Sequence, residues 1–279
     1  MKVRLPTIGL LRIQGPDAKS FLQGQISCDV NLVTPENSVL GAYLNLKGRI
    51  IATFRLLYWQ ESYWLRMPID VIPLFIKTLK HYVLFSKVTI SDVSEEYGVC
   101  GVTDLELQEQ DNAHVIPLES TARYEILTTK AQFKPQFMQL MTEEADPSYW
   151  DLLDIEAGIP TVYQATQEKF LPHHINFASI GVSFNKGCYL GQEIVARMQY
   201  RGQLKQHLYI IEIDTTEKLI PGMSLSEVST NHELGELVMF AAILDGQYKA
   251  LAVLPDEKAV SQAILINQLP ADLRVISRC

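Results

Sequence analysis

The sequence is short of the residues that advertise metal, disulfide and nucleotide chemistry. Its four cysteines, Cys28, Cys100, Cys188 and Cys279, are widely separated and form no C-x-x-C pair. That spacing argues against a zinc ribbon and gives no disulfide framework, so a reducing cytoplasm is the expected setting. The adjacent His173-His174 come without an H-x-x-x-H or H-E-x-x-H, and neighbouring side chains point in different directions in any regular element. No metal site is expected there. A helix-opening G-x-G-x-x-G, a P-loop and a G-x-S-x-G elbow are all missing, which removes dinucleotide binding, P-loop chemistry and a serine hydrolase. No apolar run approaches the ~18 residues of a membrane span. The start, Met1-Lys2-Val3-Arg4-Leu5-Pro6, has neither the apolar core nor the cleavage site of a signal peptide. Internal repeats and low-complexity segments are also lacking.

What is present suits a globular protein. A chain of 279 residues suggests about two domains, with one or three also possible, and 47% hydrophobic content supports a sizeable core. The net charge of −8 is unevenly spread. Residues 1–94 carry 11 basic and 6 acidic side chains, whereas 95–156 carry 3 and 14. Residues 157–205 carry 5 and 2, and 206–279 carry 5 and 10. The two positive blocks are expected to meet around an anionic ligand, while the acidic blocks repel bulk nucleic acid.

The elements alternate in type. Gly15-Pro16-Asp17 opens a helix through about Gln25, with Pro16 at its first position. Strands are expected at Val39–Leu46 and Arg49–Tyr58, joined at Lys47-Gly48, and at Ser62–Met67. Asp70 is placed to cap a helix to about Leu84. Further strands are expected at Lys87–Val93, Tyr97–Thr103 and Tyr124–Thr128, then a helix from about Lys130 to Met141. Another helix runs from Pro147-Ser148 to Gly158, a C-cap candidate. After Arg201-Gly202, five short strands over 207–277 suggest a small barrel or sandwich. The mixture is α+β.

The densest chemistry lies in Lys186-Gly187-Cys188-Tyr189-Leu190-Gly191-Gln192-Glu193. After Gly191 the apolar Ile194, Val195 and Met198 fall at helical spacing, and Glu193, Arg197 and Arg201 form an i, i+4, i+8 row. Cys188 then precedes a helix N-terminus with Lys186 nearby, and both features favour a thiolate. A lone cysteine is more commonly buried and inert, and a charged row is more commonly a solvated face.

This run resembles the K-G-C-Y-x-G-Q-E signature of the YgfZ/GcvT-like folate-binding family, matching every fixed position. Gly15-Pro16-Asp17-Ala18 with Phe21-Leu22-Gln23-Gly24-Gln25, Asn45-Leu46-Lys47-Gly48-Arg49, Leu84-Phe85-Ser86-Lys87-Val88, Asp154-Ile155-Glu156-Ala157-Gly158-Ile159-Pro160 and Phe170-Leu171-Pro172 resemble its other elements, in order. The resemblance covers most of residues 10–207.

The resemblance implies a GcvT-like three-lobed ring with a central folate site and a C-terminal small β-barrel. The expected organisation is residues 1–94 with 146–202 as a discontinuous folate-binding core, 95–145 as an acidic lobe and 203–279 as the barrel. It further implies tetrahydrofolate in a central cavity and Cys188 as the functional thiol. Trp150 would stack on the pterin and Glu156 would hold its amide edge, with Lys186, Tyr189, Gln192, Glu193, Arg197 and Arg201 completing the binding set. The implied role is accessory: support of iron–sulfur cluster assembly or repair, with cluster-dependent tRNA-modifying enzymes as partners. Two alternatives remain. One is an aminomethyltransferase, although Ala52-Thr53 stand where such enzymes carry an Asp pair. The other is a non-catalytic scaffold.

Overall fold

The computed structural model describes residues 1–103, 113–118, 122–131, 145–260 and 262–279. Fifteen strands are named among them, and they sort into three sheet systems. The first is a five-stranded antiparallel sheet. It is built from β2 (Ile8–Gln14), β3 (Val39–Leu44), β4 (Ile50–Trp59), β5 (Ser62–Pro68) and β6 (Thr89–Asp92), in the order β3-β4-β5-β2-β6. Strand β4 sits inside this sheet and is buried from Ile50 to Leu57, which explains its near-continuous apolar run. Helices α1 (Ala18–Gln25) and α2 (Ile72–Val83) cover one face, where Phe21, Leu22, Phe75 and Leu79 join Ile51, Phe54 and Leu56 in a core.

The second sheet takes β1 (Lys2–Arg4), β7 (Tyr97–Thr103), β8 (Ala113–Pro117) and β9 (Arg123–Thr129), in the order β1-β7-β9-β8. The extreme N-terminal strand therefore pairs with residues 100–102 rather than with its sequence neighbours. Strand β8 lies in a stretch whose composition reads as acidic loop. The helix expected from about Lys130 to Met141 lies largely outside the described residues. Between the two sheets, Leu10, Leu57 and Trp64 meet Val3, Val99, Leu127 and Trp150 in a shared core.

The third system is a closed six-stranded barrel of β10 (Gln206–Asp214), β11 (Ser224–Glu227), β12 (Glu233–Leu244), β13 (Gln247–Pro255), β14 (Gln262–Ile266) and β15 (Leu269–Arg278). Its order is β10-β13-β12-β11-β14-β15, and β15 closes on β10. One strand more than the five expected completes the circle. Short β11 escapes periodicity because only Leu225 of its four residues is fully buried. Register shifts in β10, β11 and β12 bend the strands enough for closure.

Among the described residues, three more α-helices connect the systems: α3 (Ser148–Glu156), α4 (Phe177–Ile180) and α5 (Gln192–Arg201). Helix α3 packs against β12 and β13. It ends where expected, in a Schellman turn: Ile159 N donates to Asp154 O at 2.9 Å and Gly158 N to Ile155 O at 3.0 Å, with Gly158 at φ +66°. Two helix starts differ from expectation. Helix α1 starts two residues beyond Pro16, and the Asp17 carboxylate accepts the Lys87 amide instead of capping. A single 3-10 turn over Ile69–Val71 precedes α2, so Asp70 lies inside it and accepts from Gln164 N at 3.0 Å.

Candidate functional site

Three of the separated signature elements, the Asn45–Arg49 turn, the Phe170 segment and the 186–193 loop, come together at one junction. The turn between β3 and β4 is tied by Asn45, whose side-chain oxygen accepts from Lys47 N and Arg49 N at 2.9 and 3.0 Å. Asn45 also donates to Glu168 at 2.7 Å, and Arg49 donates to the Lys169 carbonyl. Ile50 N donates to Phe170 O, so the turn grips the segment that leads into Phe170-Leu171-Pro172. Gly191 packs so closely on this turn that a Cβ there would lie 2.6 Å from Asn45 O. Its φ of +79° is a second reason for glycine. Gly48 meets Ile194 of α5 in the same way. The two positive blocks do meet here.

Within the signature loop, Lys186 plays a structural part. Its ammonium donates to Ile26 O at 2.7 Å and Cys28 O at 2.8 Å, closing the loop against the end of α1. It also lies 5.2 Å from the centre of the Tyr189 ring. Burial pulls its pKa down to about 8, opposed by Cys28 and Asp29. The cation expected to face Cys188 is thus committed to backbone carbonyls. Cys188 itself is exposed, while Tyr189 is buried. Glu193, Arg197 and Arg201 lie exposed along α5, the solvated row that the spacing also allowed, and Gln192 opens that helix. His173 touches Gln199 at 3.2 Å, and burial, then Arg49, lowers the pKa of His174 to about 4.

A second gathering of charge lies inside the molecule. A cavity of about 30 Å³ is bordered by β3, β4, β5, β9 and the end of α3. Arg55, Arg66, Glu125, Asp154 and Phe177 are among its walls. Glu125 is 2% exposed; its Oε1 accepts from Arg66 at 2.7 Å and from the Trp150 indole at 3.1 Å. Its Oε2 is buried and has no partner among the described residues, as is Nε of Arg66. Arg123 donates to Asp154 at 2.8 Å and lies 5.2 Å from the Trp150 ring centre. Arg66 is buried, yet Glu125 and Asp154 hold its pKa above the ordinary value. Asp154 is raised by burial against the pull of Arg123 and Arg66. Such a cluster of buried, shifted groups marks a candidate site.

Several of the expected binding residues stand apart from this cavity or offer it no open face. Trp150 presents no open face: it is 1% exposed, and Gly101 lies so near that a Cβ there would sit 2.5–2.6 Å from three ring atoms. Its polar end instead holds Glu125. Glu156 points away to the barrel, where Lys249 donates to it at 2.6 Å. The carboxylates on the cavity are Glu125 and Asp154, and no residue of 186–193 is among its described walls. The sequence carried only a partial signal: Arg66 lies between Leu65 and Met67 and Glu125 between Tyr124 and Ile126, where an ionised side chain calls for a buried partner, but nothing in the spacing pairs the two.

Asp151, beside the cluster, has its pKa raised from 3.8 to about 7 by burial first and by Asp154 second, with Arg66 opposing. The folded state therefore holds this proton more tightly than the unfolded chain. Its contribution is full below about pH 4 and is lost as pH rises through about 7. Relative to wild type, Asp151→Asn should gain stability between those limits. Urea melts at several pH values check this; parallel pH dependences would overturn it.

Comparison with known proteins adds the following. No protein-family profile matches the chain. It is 33% identical to "tRNA-modifying protein YgfZ" of Colwellia psychrerythraea, over 99% of this chain and 89% of the relative. The protein of the same description from Photobacterium profundum is 31% identical over 91% and 83%, and that from Vibrio vulnificus is 31% identical over the same shares. Among solved structures, the glycine cleavage system aminomethyltransferase T from Bartonella henselae superposes with a TM-score of 0.75 at 14% identity, covering 99% of this chain and 84% of that one. The fold is GcvT-like.

Proposed function

The chain belongs to the YgfZ family of tRNA-modifying proteins, and on that premise we propose that it is a folate-binding accessory factor for tRNA modification. The internal cavity is the folate site of this reading, and the observation that carries it is that the paired Glu125 and Arg66 on its wall each keep a buried polar atom, Oε2 and Nε, without a partner among the described residues. The amide edge of a pterin offers one N–H donor and one carbonyl acceptor, which suits that acceptor and donor together. When bound, tetrahydrofolate supplies a reduced ring that carries one-carbon units. The chain's own contribution is to orient that ring from Glu125 and Arg66 and to exclude water with Leu40 and Phe177. In this conformation the interior has room for one or two waters, so a bicyclic ring enters only as side chains at the mouth move.

Cys188 is the functional thiol of the reading, since it is exposed on the loop that the signature elements fix in place. Its clients are cluster-dependent tRNA-modifying enzymes, in support of iron–sulfur assembly or repair. Arg197 and Arg201 supply exposed cations on the adjoining helix, with Glu193 and Gln192 at its start. The protein acts in the cytoplasm; among the described residues no helix is long and apolar enough to cross a membrane. Aminomethyl transfer is disfavoured because the Thr53 hydroxyl already accepts the Val162 amide at 3.0 Å and Ala52 has no polar group.

Titration with tetrahydrofolate tests this reading. The wild-type chain should bind saturably, and Glu125→Gln should bind about 10–100-fold more weakly, as expected for losing a charged hydrogen-bond acceptor. Cys188→Ala should keep that affinity yet fail to restore cluster-dependent tRNA modification in cells lacking the protein. Absence of saturable binding overturns the folate site, and full rescue by Cys188→Ala overturns the thiol.

A further inference from the structure

A groove of about 360 Å³ lies between α2 and the turn that joins β3 to β4, away from the charged cavity. Leu44, Ile51 and the signature residue Leu190 line it together with Tyr43. Tyr43 is fully buried, with the Thr78 hydroxyl beside its own. The rim is unusually apolar for a solvent boundary. Leu46 is 75% exposed on one wall, and on the other Tyr82 leads directly into Leu84 and Phe85, at 80% and 94%. Exposed apolar residues gathered along one groove mark an interaction surface more than scattered ones do.

Cations predominate on this surface, where Glu168 is the one carboxylate among the described groove walls. Lys47 and His81 line the groove, Lys77 stands one helical turn from His81, and Lys80 and Lys87 flank the Leu84-Phe85 pair. None of these four lysines has an ion-pair partner among the described residues. The nearby Glu168 carboxylate is engaged by Asn45. The guest that satisfies both observations carries large apolar side chains and negative charge. The floor of Leu44, Ile51 and Leu190 is aliphatic and suits an apolar side chain; Tyr82 and Phe85 are the rings nearby on which a base could stack, so single-stranded RNA is the rival that the test separates.

We propose that this groove docks an acidic peptide segment of a partner protein, with an apolar side chain seated on Leu44, Ile51 and Leu190 and acidic residues against the lysine rim. Because Leu190 belongs to the Cys188 loop, a docked partner lies beside the exposed thiol. The inference stands apart from folate binding, since no wall residue is shared with the charged cavity.

Selection of a random twelve-residue peptide library displayed on phage against the full chain provides the test. The expected winners combine Leu, Phe or Trp with an excess of Asp and Glu. Synthesised with a fluorophore, they should lose at least tenfold in affinity to Leu46→Asp, Tyr82→Glu and Lys77→Glu. These variants alter exposed or half-exposed side chains, so their melting curves and tetrahydrofolate binding should match wild type. Basic winners, acidic winners indifferent to the three variants, or a library without enrichment each overturn the proposal. So does stronger competition by a single-stranded oligouridylate than by unlabelled peptide.

Discussion

Replacing Glu125 with alanine is expected to destabilise the protein by about 3–5 kcal/mol, the usual consequence of removing one partner from a buried ion pair. The magnitude comes from what is left behind. Arg66 keeps its charge at 12% exposure, and the Trp150 indole keeps a donor at 1% exposure, with no acceptor for either. Neither can swing out to water, because Trp150 is pinned against Gly101 and Arg66 belongs to the sheet interior. Glu125→Gln keeps an acceptor oxygen and most of the shape, so it should lose distinctly less than alanine. Chemical denaturation of wild type and both variants measures the difference. Equal, small losses below about 1 kcal/mol would show that water enters and solvates the cluster.

The second large effect is expected at Gly191. An alanine there must accept a left-handed backbone, costing about 1–2 kcal/mol, and its Cβ would meet the Asn45 carbonyl at 2.6 Å. A backbone atom cannot rotate aside, so the signature loop must lift from the turn, at a further cost of about 1–3 kcal/mol. The loss should be local as well as global. Amide exchange at Asn45 to Ile50 and Gln192 to Val195 should quicken well beyond that of the barrel. Uniform quickening, or none, would mean that the junction does not depend on this close approach.

Much of the architecture could be read from residue order because local rules and tertiary packing agree. The apolar run of β4, the Gly158 stop and the alternating barrel strands are examples. Disagreement arose where a short polar side chain had a better partner at a distance. Asp70 looks like a cap, but a long-range amide claims its carboxylate, as another claims that of Asp17. The junction was legible through its motifs, whereas the charged cavity was not. Arg66, Arg123, Glu125 and Asp154 are far apart in the chain, and no spacing rule announces which cations and anions will be buried together. Trp150 shows the same limit. Its position invites a stacking role, but only the packed structure reveals Gly101 pressed on its ring.

The end of α3 has one further consequence. Asp154 faces the cavity and Glu156, two residues on, grips Lys249 of the barrel, with the Schellman turn making the link stiff. The helix end is therefore an axle shared by two bodies. A push that tilts the barrel must twist the carboxylate inside, and a guest that displaces that carboxylate must pull on the barrel in return.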